Sequence, residues 1–346
     1  MNILKKIRLR RTPVATSIAV IGGGSWATAL VKLLSENAVQ VRWWLRDRES
    51  IQHIKRYHKN PRYLSQVRIN RRKVRLFYQI TKAIRKAQFV IIAVPAAYAE
   101  SVLETIPKTI WQDKIIISAV KGIIPAKNLL ISDYFIQHLG LAAENCCAIA
   151  GPCHAEEVAL EKKSYLTIAG VSEQNTENFA SHLRSRYLAA HTNPDLEGIE
   201  YCAVIKNIIA LACGIAHGLG YGDNFQAVLV ANAMEEIERF LTQKCPNNSP
   251  RLLMGSAYLG DLLVTAYSQF SRNRTFGNML GRGYTVQSAQ MEMNMVAEGY
   301  FASKCIYEIA EGFAFEQLPI IHSVYHILYE QMPPSEAFRR LAAQLK

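Results

Sequence analysis

The chain has 346 residues, 50% of them hydrophobic and 20% charged, which allows about two globular domains with a sizeable core and excludes a disordered chain. A formal net charge of +12 raises the expectation of an anionic partner without choosing among the candidates. Seven cysteines, an odd number with no C-x-x-C pair, argue against a disulfide framework and against a zinc site, and for a reducing compartment, hence a cytoplasmic location.

Much of the positive excess sits in Lys5-Lys6-Ile7-Arg8-Leu9-Arg10-Arg11 and between Lys55 and Arg75, which includes Arg71-Arg72-Lys73. Such runs read either as attraction of phosphorylated metabolites or nucleic acid, or as solvated surface and a frayed tail, the commoner meaning. The start lacks an apolar stretch with a small-residue cleavage site, so a secretory signal is not expected. Apolar runs around Ile116 and Ile208 are broken by polar residues or glycine, so a membrane span is not expected either.

In chain order, Ile18-Ala19-Val20-Ile21 reads as a strand feeding a glycine turn and then a segment of helical spacing. Gly22, Gly24 and Ala27 fit the G-x-G-x-x-[GA] dinucleotide fingerprint. Gly22 permits the tight turn, Gly24 lets a pyrophosphate approach the backbone, and Ala27 lets helix and strand pack closely. The N–H groups that open the helix favour an anion. Val39–Leu45 alternates and reads as the second strand, with Arg46-Asp47-Arg48 at its end. An acidic residue there holds a ribose 2′-hydroxyl and an arginine accommodates a 2′-phosphate. Arg46 comes first, which leans toward NADP over NAD; a plain charged strand end is equally open. Asn60-Pro61-Arg62-Tyr63-Leu64 is a turn signal.

Residues 81–87 and 98–106 carry helical spacing. Phe89–Val94, Ile115–Ala119 and Cys146–Ala150 are continuous apolar runs, the mark of parallel strands buried on both faces, and 165–169 is a further strand. Alternating strand and helix predict an α/β, doubly wound, Rossmann-type parallel sheet. Ligands of such sheets sit beyond the carboxyl ends of the strands, so Arg46, Pro95, Lys121 and Gly151–Cys153 are expected to rim one crevice. From about Leu196 the spacing turns helical without strand runs. The expected division is therefore 14–196, dinucleotide-binding, and 197–346, an all-α C-terminal substrate and catalytic domain.

Two lysines stand out. Lys121 follows a buried strand, and Lys206 lies inside the apolar helix Ala203–Ala210. A lysine in apolar surroundings near a second cation has a lowered pKa, which suits general acid/base work on a carbonyl–alcohol pair. A snorkelling surface lysine is the alternative. Asp261 sits where it either caps a helix or orients the lysine, with Thr265 four residues on along the same face. Ser271-Arg272-Asn273-Arg274 offers donors matched to phosphate oxygens, or is a charged turn.

Taken together, GGGSWAT (22–28), NPRYL (60–64), AVP (93–95), Lys121-Gly122, GPCHAEEVA (151–159), KNIIALACGIAHGLGYG (206–222), GDLLVT (260–265), SRNRTFG (271–277) and VAEG (296–299) have an order and spacing that resemble soluble bacterial NAD(P)-dependent glycerol-3-phosphate dehydrogenase. The resemblance runs from about Ile18 to Glu330. It implies interconversion of dihydroxyacetone phosphate and sn-glycerol 3-phosphate, for glycerophospholipid synthesis, with NAD or NADP as cofactor. It implies Lys206 as proton donor, and a substrate site of Lys121, Gly151, Cys153, Asn207, Asp261, Thr265, Ser271, Arg272 and Asn273. Cofactor positions implied are Gly22, Gly24, Ser25, Trp26, Arg46, Asp47, Tyr63, Pro95, Lys121, Ala155, Arg272, Val296 and Glu298. Neither a metal nor a nucleic-acid partner is expected, and a homodimer is. Cys153 stands where the family has serine or asparagine, Ile124 where a glutamate is common, and Val230–Ala233 departs from a basic, glycine-containing stretch. The basic start lies outside the resemblance. Two other readings compete: another two-domain hydroxy-acid dehydrogenase, and a non-catalytic nucleotide-binding sensor.

Overall fold

The structure, a computed structural model, describes residues 16–37, 39–246, 250–293 and 297–346. The basic start and the expected cofactor residue Val296 lie outside the described residues. Eight strands form one sheet: β1 (Ser17–Ile21), β2 (Gln40–Trp44), β3 (Val74–Phe77), β4 (Phe89–Ile92), β5 (Ile115–Ser118), β6 (Cys146–Ala150), β7 (Ser164–Ala169) and β8 (Leu188–Asn193). Their order across the sheet is β3-β2-β1-β4-β5-β6-β7-β8. The chain thus winds outward twice from the centre, and the order reverses between β1 and β4, where such sheets open a crevice.

Helices α1 (Ser25–Glu36), α2 (Arg48–Tyr57), α3 (Ile80–Ile84), α4 (Ala96–Leu103), α5 (Ile131–Gln137), α6 (Ala155–Ala159) and α7 (Glu173–Leu183) accompany the strands. The second half holds α8 (Leu196–Gly218), α9 (Asp223–Lys244), α10 (Asp261–Tyr267), α11 (Arg272–Gly281), α12 (Val286–Glu292), α13 (Glu298–Ile309), α14 (Pro319–Tyr329) and α15 (Pro334–Ala342). The expected α/β sheet followed by an all-helical region is what the chain adopts.

Two strands, β7 and β8, run against the other six in the sheet that the apolar runs predicted to be parallel throughout. β7 pairs with β6 antiparallel, in the register Ala148↔Ala169 and Ala150↔Thr167, while every other neighbouring pair is parallel. The reason is length. α6 has five residues and rises only ~7–8 Å at ~1.5 Å per residue, too little to carry the chain back past the sheet. β7 therefore starts at the crevice end and runs away from it. β8, returned by α7, ends at the far edge. From there α8, with 23 residues, climbs back toward the crevice.

α8 also corrects a reading of the sequence. The helix is continuous through its polar residues, long and apolar enough to cross a membrane by length and composition, yet every residue of that window is buried inside the protein. Lys206, Asn207 and Gly214 do not interrupt it; each meets a partner from a neighbouring helix or strand end. Gly214 and Gly218 of α8 face Gly277 and Gly281 of α11. A Cβ on Gly214 would strike the Arg274 carbonyl, and one on Gly277 the Leu211 carbonyl. The two helices thus run side by side at backbone contact, a spacing that only these small residues permit.

Candidate active site

The glycine turn has the geometry its sequence called for. Gly22 has φ +136°, and a Cβ there would strike the Ala93 carbonyl at the end of β4. The indole of Trp43 donates to the Gly22 carbonyl at 2.7 Å and fixes the turn from β2. Gly24 caps α1, and the place of its missing Cβ is open space. The Thr28 hydroxyl donates to the Gly24 carbonyl at 2.9 Å. Trp26 Nε1 and Glu298 Oε2 are buried and without a hydrogen-bond partner among the described residues. An open cradle over a helix N-terminus and two orphaned polar atoms nearby fit a dinucleotide, whose pyrophosphate and amide would satisfy such groups.

Sequence reasoning passed over one residue of this region. Asn60 is 2% exposed, and its amide donates to the Gly23 carbonyl at 3.0 Å and to the Thr28 hydroxyl at 2.8 Å. Its Oδ1 accepts the N–H of Arg62 at 3.0 Å and of Tyr63 at 3.3 Å. The NPRYL turn is thereby stapled to the glycine turn. The signal was a polar residue before proline inside a basic stretch, which sequence alone reads as a loop. Ser25 and Tyr63 line one cleft of about 440 Å³ with Glu156, the neighbour of Ala155. At the end of β2, Arg46 is exposed and Asp47 caps α2, its Oδ1 accepting the Ser50 N–H at 2.7 Å. Partial burial works to raise the Asp47 carboxyl, but the Ser50 bond with the charges of Arg62 and Arg46 holds it below its ordinary value.

The carboxyl ends of β4, β5 and β6 and the middle of α8 converge beside this region. Lys206 is 3% and Asp261 1% exposed, and the Lys206 ammonium donates to Asp261 Oδ1. Lys121 reaches the same carboxylate, 3.3 Å from Oδ1 and 3.2 Å from Oδ2. Lys121 Nζ also lies 3.4 Å from the Gly151 carbonyl and 3.7 Å from Cys153 Sγ. Lys206 is therefore no snorkelling surface residue, and the Asp261 carboxylate serves the lysines; the cap position of α10 is held by Gly260. Asp261 follows a single π-helical turn, 256–260, a local widening often met at functional sites. Asp195, which caps α8 through Gly198, accepts the Tyr258 hydroxyl of that turn at 2.6 Å and pairs with Arg251 at 2.6 Å. One carboxylate thus ties the start of the Lys206 helix to the turn that presents Asp261.

Charge sets the titration of this cluster. Burial raises the Asp261 carboxyl, yet Lys121 and Lys206 outweigh it and hold it below the ordinary value. Burial, and then the Lys121 charge, push the Lys206 amine down to about 8 against the pull of Asp261. For Lys121 burial also acts downward, but the carboxylate dominates and the pKa rises. Two lysines sharing one carboxylate thus separate into a donor held charged and a donor poised to release its proton.

Around the cluster the amides form a chain. Asn207 donates to the Lys121 carbonyl at 2.6 Å, Asn273 donates to Asn207 Oδ1 at 2.9 Å, and the Gly299 N–H donates to Asn273 Oδ1 at 2.9 Å. Glu298 Oε1 in turn accepts the Ala96 N–H at 3.2 Å, just past Pro95; burial raises its carboxyl to about 7. Ser271 caps α11 by accepting the Arg274 N–H at 3.3 Å, and Arg272 opens that helix with its side chain exposed. The Thr265 hydroxyl donates to the Asp261 carbonyl at 2.7 Å. Cys153 donates to the Gly151 carbonyl at 3.0 Å, and burial raises its thiol. His154 was not foreseen: its ring lies 3.4 Å from the Val264 carbonyl and against Phe270, bridging the β6 loop to α10. All seven cysteines are free and buried, and no metal-binding cluster occurs among the described residues.

Comparison with known proteins points to the same family over most of the chain. The family models described as NAD-dependent glycerol-3-phosphate dehydrogenase N-terminus and C-terminus match residues 17–176 and 195–339. The glycerol-3-phosphate dehydrogenase (NAD(P)+) of Macrococcus caseolyticus is 35% identical over 94% of this chain and 97% of its own length. That of Carboxydothermus hydrogenoformans is 34% identical over 95% of this chain and 97% of its own. A solved structure of glycerol-3-phosphate dehydrogenase from Coxiella burnetii superposes with a TM-score of 0.87 at 27% identity, covering 95% of this chain and 99% of that one.

Proposed function

The chain belongs to the NAD-dependent glycerol-3-phosphate dehydrogenase family and is an NAD(P)-dependent oxidoreductase of that type; on that premise we propose that Lys206 is the proton donor as dihydroxyacetone phosphate is reduced to sn-glycerol 3-phosphate. The bound dinucleotide supplies the hydride. The observation that carries the reading is the buried meeting of Lys206, Lys121 and Asp261, one residue from the second half of the chain, one from the end of β5 and one from α10. As C2 of the ketone takes up hydride, its oxygen gains negative charge, and the Lys206 ammonium gives that oxygen a proton. Lys121 stays charged and stabilises the developing oxyanion from a fixed position. Asp261 orients both amines, and two ammonium groups against one carboxylate leave a net charge of +1 facing the developing oxyanion. Burying three charges is costly unless they are used, which weighs against a non-catalytic sensor.

The phosphate end of the substrate falls to Arg272, with Ser271, Asn273 and the N–H groups opening α11 beside it. Asn207 and Thr265 line the carbon chain, and Gly151 and Cys153 close it from the β6 loop. Gly22, Gly24, Ser25, Trp26, Pro95, Arg46, Asp47, Tyr63, Ala155 and Glu298 would hold the dinucleotide; Val296 belongs to the same set by resemblance. The division falls near residue 196, the chain forms a homodimer in the cytoplasm, and its product feeds glycerophospholipid synthesis. Seven buried free thiols support the reducing compartment. The deciding experiment follows cofactor absorbance with dihydroxyacetone phosphate. Lys206→Ala lowers kcat by about 10²–10⁴-fold, the usual share of a general acid, with cofactor affinity little changed. Near-normal turnover in the purified variant removes the proposed role.

A further inference from the structure

Resting on the dinucleotide reading above, we propose that Arg62 acts with Arg46 as a specificity determinant for a ribose 2′-phosphate, so that this chain works with NADP(H) in preference to NAD(H). An NAD-selective site of this fold needs a carboxylate at the end of β2 to accept the 2′-hydroxyl. Here the carboxylate at that place, Asp47, has one oxygen occupied: its Oδ1 takes the Ser50 N–H at 2.7 Å and caps α2. Arg62 and Arg46 are close enough for their charges to act on it, so two guanidinium groups against one carboxylate leave the spot positive. Both arginines are exposed.

Arg62 is not there by the chance placement of a loop. Asn60, buried, fastens the backbone of residues 62 and 63 to the glycine turn through four hydrogen bonds. Arg62 then lines the same cleft as Ser25, the first residue of the pyrophosphate helix, with Glu156 of α6 on the opposite wall. The surroundings reinforce it. Between residues 46 and 75 the chain carries eleven lysines and arginines against Asp47 and Glu49 alone. That stretch ends in β3, the edge strand of the sheet, and positive charge at an edge also discourages strand addition. Arg72, exposed two residues before β3, is not among the residues of the cleft that Arg62 lines.

The test uses the full chain and two probes, adenosine 2′,5′-bisphosphate and adenosine 5′-monophosphate, titrated by calorimetry, beside kcat/KM for NADPH and NADH. The intact protein binds the bisphosphate at least about tenfold more tightly, the effect of one or two charge-assisted contacts. Arg62→Ala and Arg46→Ala each reduce that preference several-fold, with the loss in turnover carried by KM for NADPH, and the double variant brings the two probes close together. Arg72→Ala leaves the preference where it was. Equal binding of the two probes by the intact protein, or an unchanged preference in Arg62→Ala, overturns the proposal. If the bisphosphate preference holds but neither cofactor supports reduction of dihydroxyacetone phosphate, Arg62 keeps its role and the substrate assignment is what fails.

Discussion

The two ends of the crevice hold their charges in opposite ways. At the reacting end Lys206 and Asp261 are almost wholly buried, and each ionised group has a partner within the protein. At the end proposed for the nucleotide, Arg46 and Arg62 stand in solvent, and the Asp47 carboxylate that feels both charges caps a helix start. Buried charges interact through a low dielectric and are little screened, whereas exposed ones are felt at a distance but fade with salt. That contrast suits the proposed roles, proton transfer at one end and the gathering of an anion at the other. That difference makes the two ends respond to different disturbances.

The largest effect is expected from Asp261→Ala, which leaves two lysines facing each other without a counter-charge. It costs about 3–5 kcal/mol of stability, as for other broken buried pairs, read by denaturant titration, and it abolishes turnover. A loss of activity with unchanged stability would show the reacting end to be wetter than its burial implies. Gly214→Ala comes next. The added carbon meets the Arg274 carbonyl and forces α8 from α11, for a loss of about 1–3 kcal/mol, and KM for dihydroxyacetone phosphate rises because Arg272 rides on α11.

The pH response is smaller and has a definite sign. The Lys206 amine is lowered to about 8, so reduction, which needs the ammonium, holds below that value and falls as pH rises through it. Oxidation of glycerol 3-phosphate needs the free amine and rises over the same range. In Lys121→Met the neighbouring cation is gone and both limbs move to higher pH; limbs that stay in place would assign the titration to another group. The mildest disturbance is salt. Raising ionic strength from about 0.05 to about 0.5 M, roughly one decade around the physiological screening regime, weakens nucleotide binding several-fold and leaves kcat at saturation nearly constant. A kcat as salt-sensitive as binding would erase the contrast between the ends.

The sequence disclosed the centre of the sheet and hid its margins. β1, β2, β4, β5 and β6 announce themselves through apolar residues because each is covered on both faces. The two strands it concealed, β3 and β8, are the edges: Arg75 and His191 are exposed, and their strands lack a continuous apolar run. The direction of β7 was equally hidden, since side-chain pattern carries strand identity and not polarity; only the brevity of residues 151–163 pointed to it. At the site, Lys206 and Asp261 were legible as polar residues in apolar company. Asn60 and His154 were not, because their work lies in joining segments far apart in the chain, and a linear text holds no trace of what a side chain will touch.

The reversal of β7 reaches further than topology. Because β8 finishes at the far edge, α8 must traverse the interior before it arrives, and Lys206 is the eleventh of its 23 residues. An amine mounted mid-span, with a full turn or more of packed helix on either side, is insulated from the fraying that loosens helix ends. Its amide should exchange with solvent only when the whole molecule opens, so local breathing leaves the proposed donor at its post.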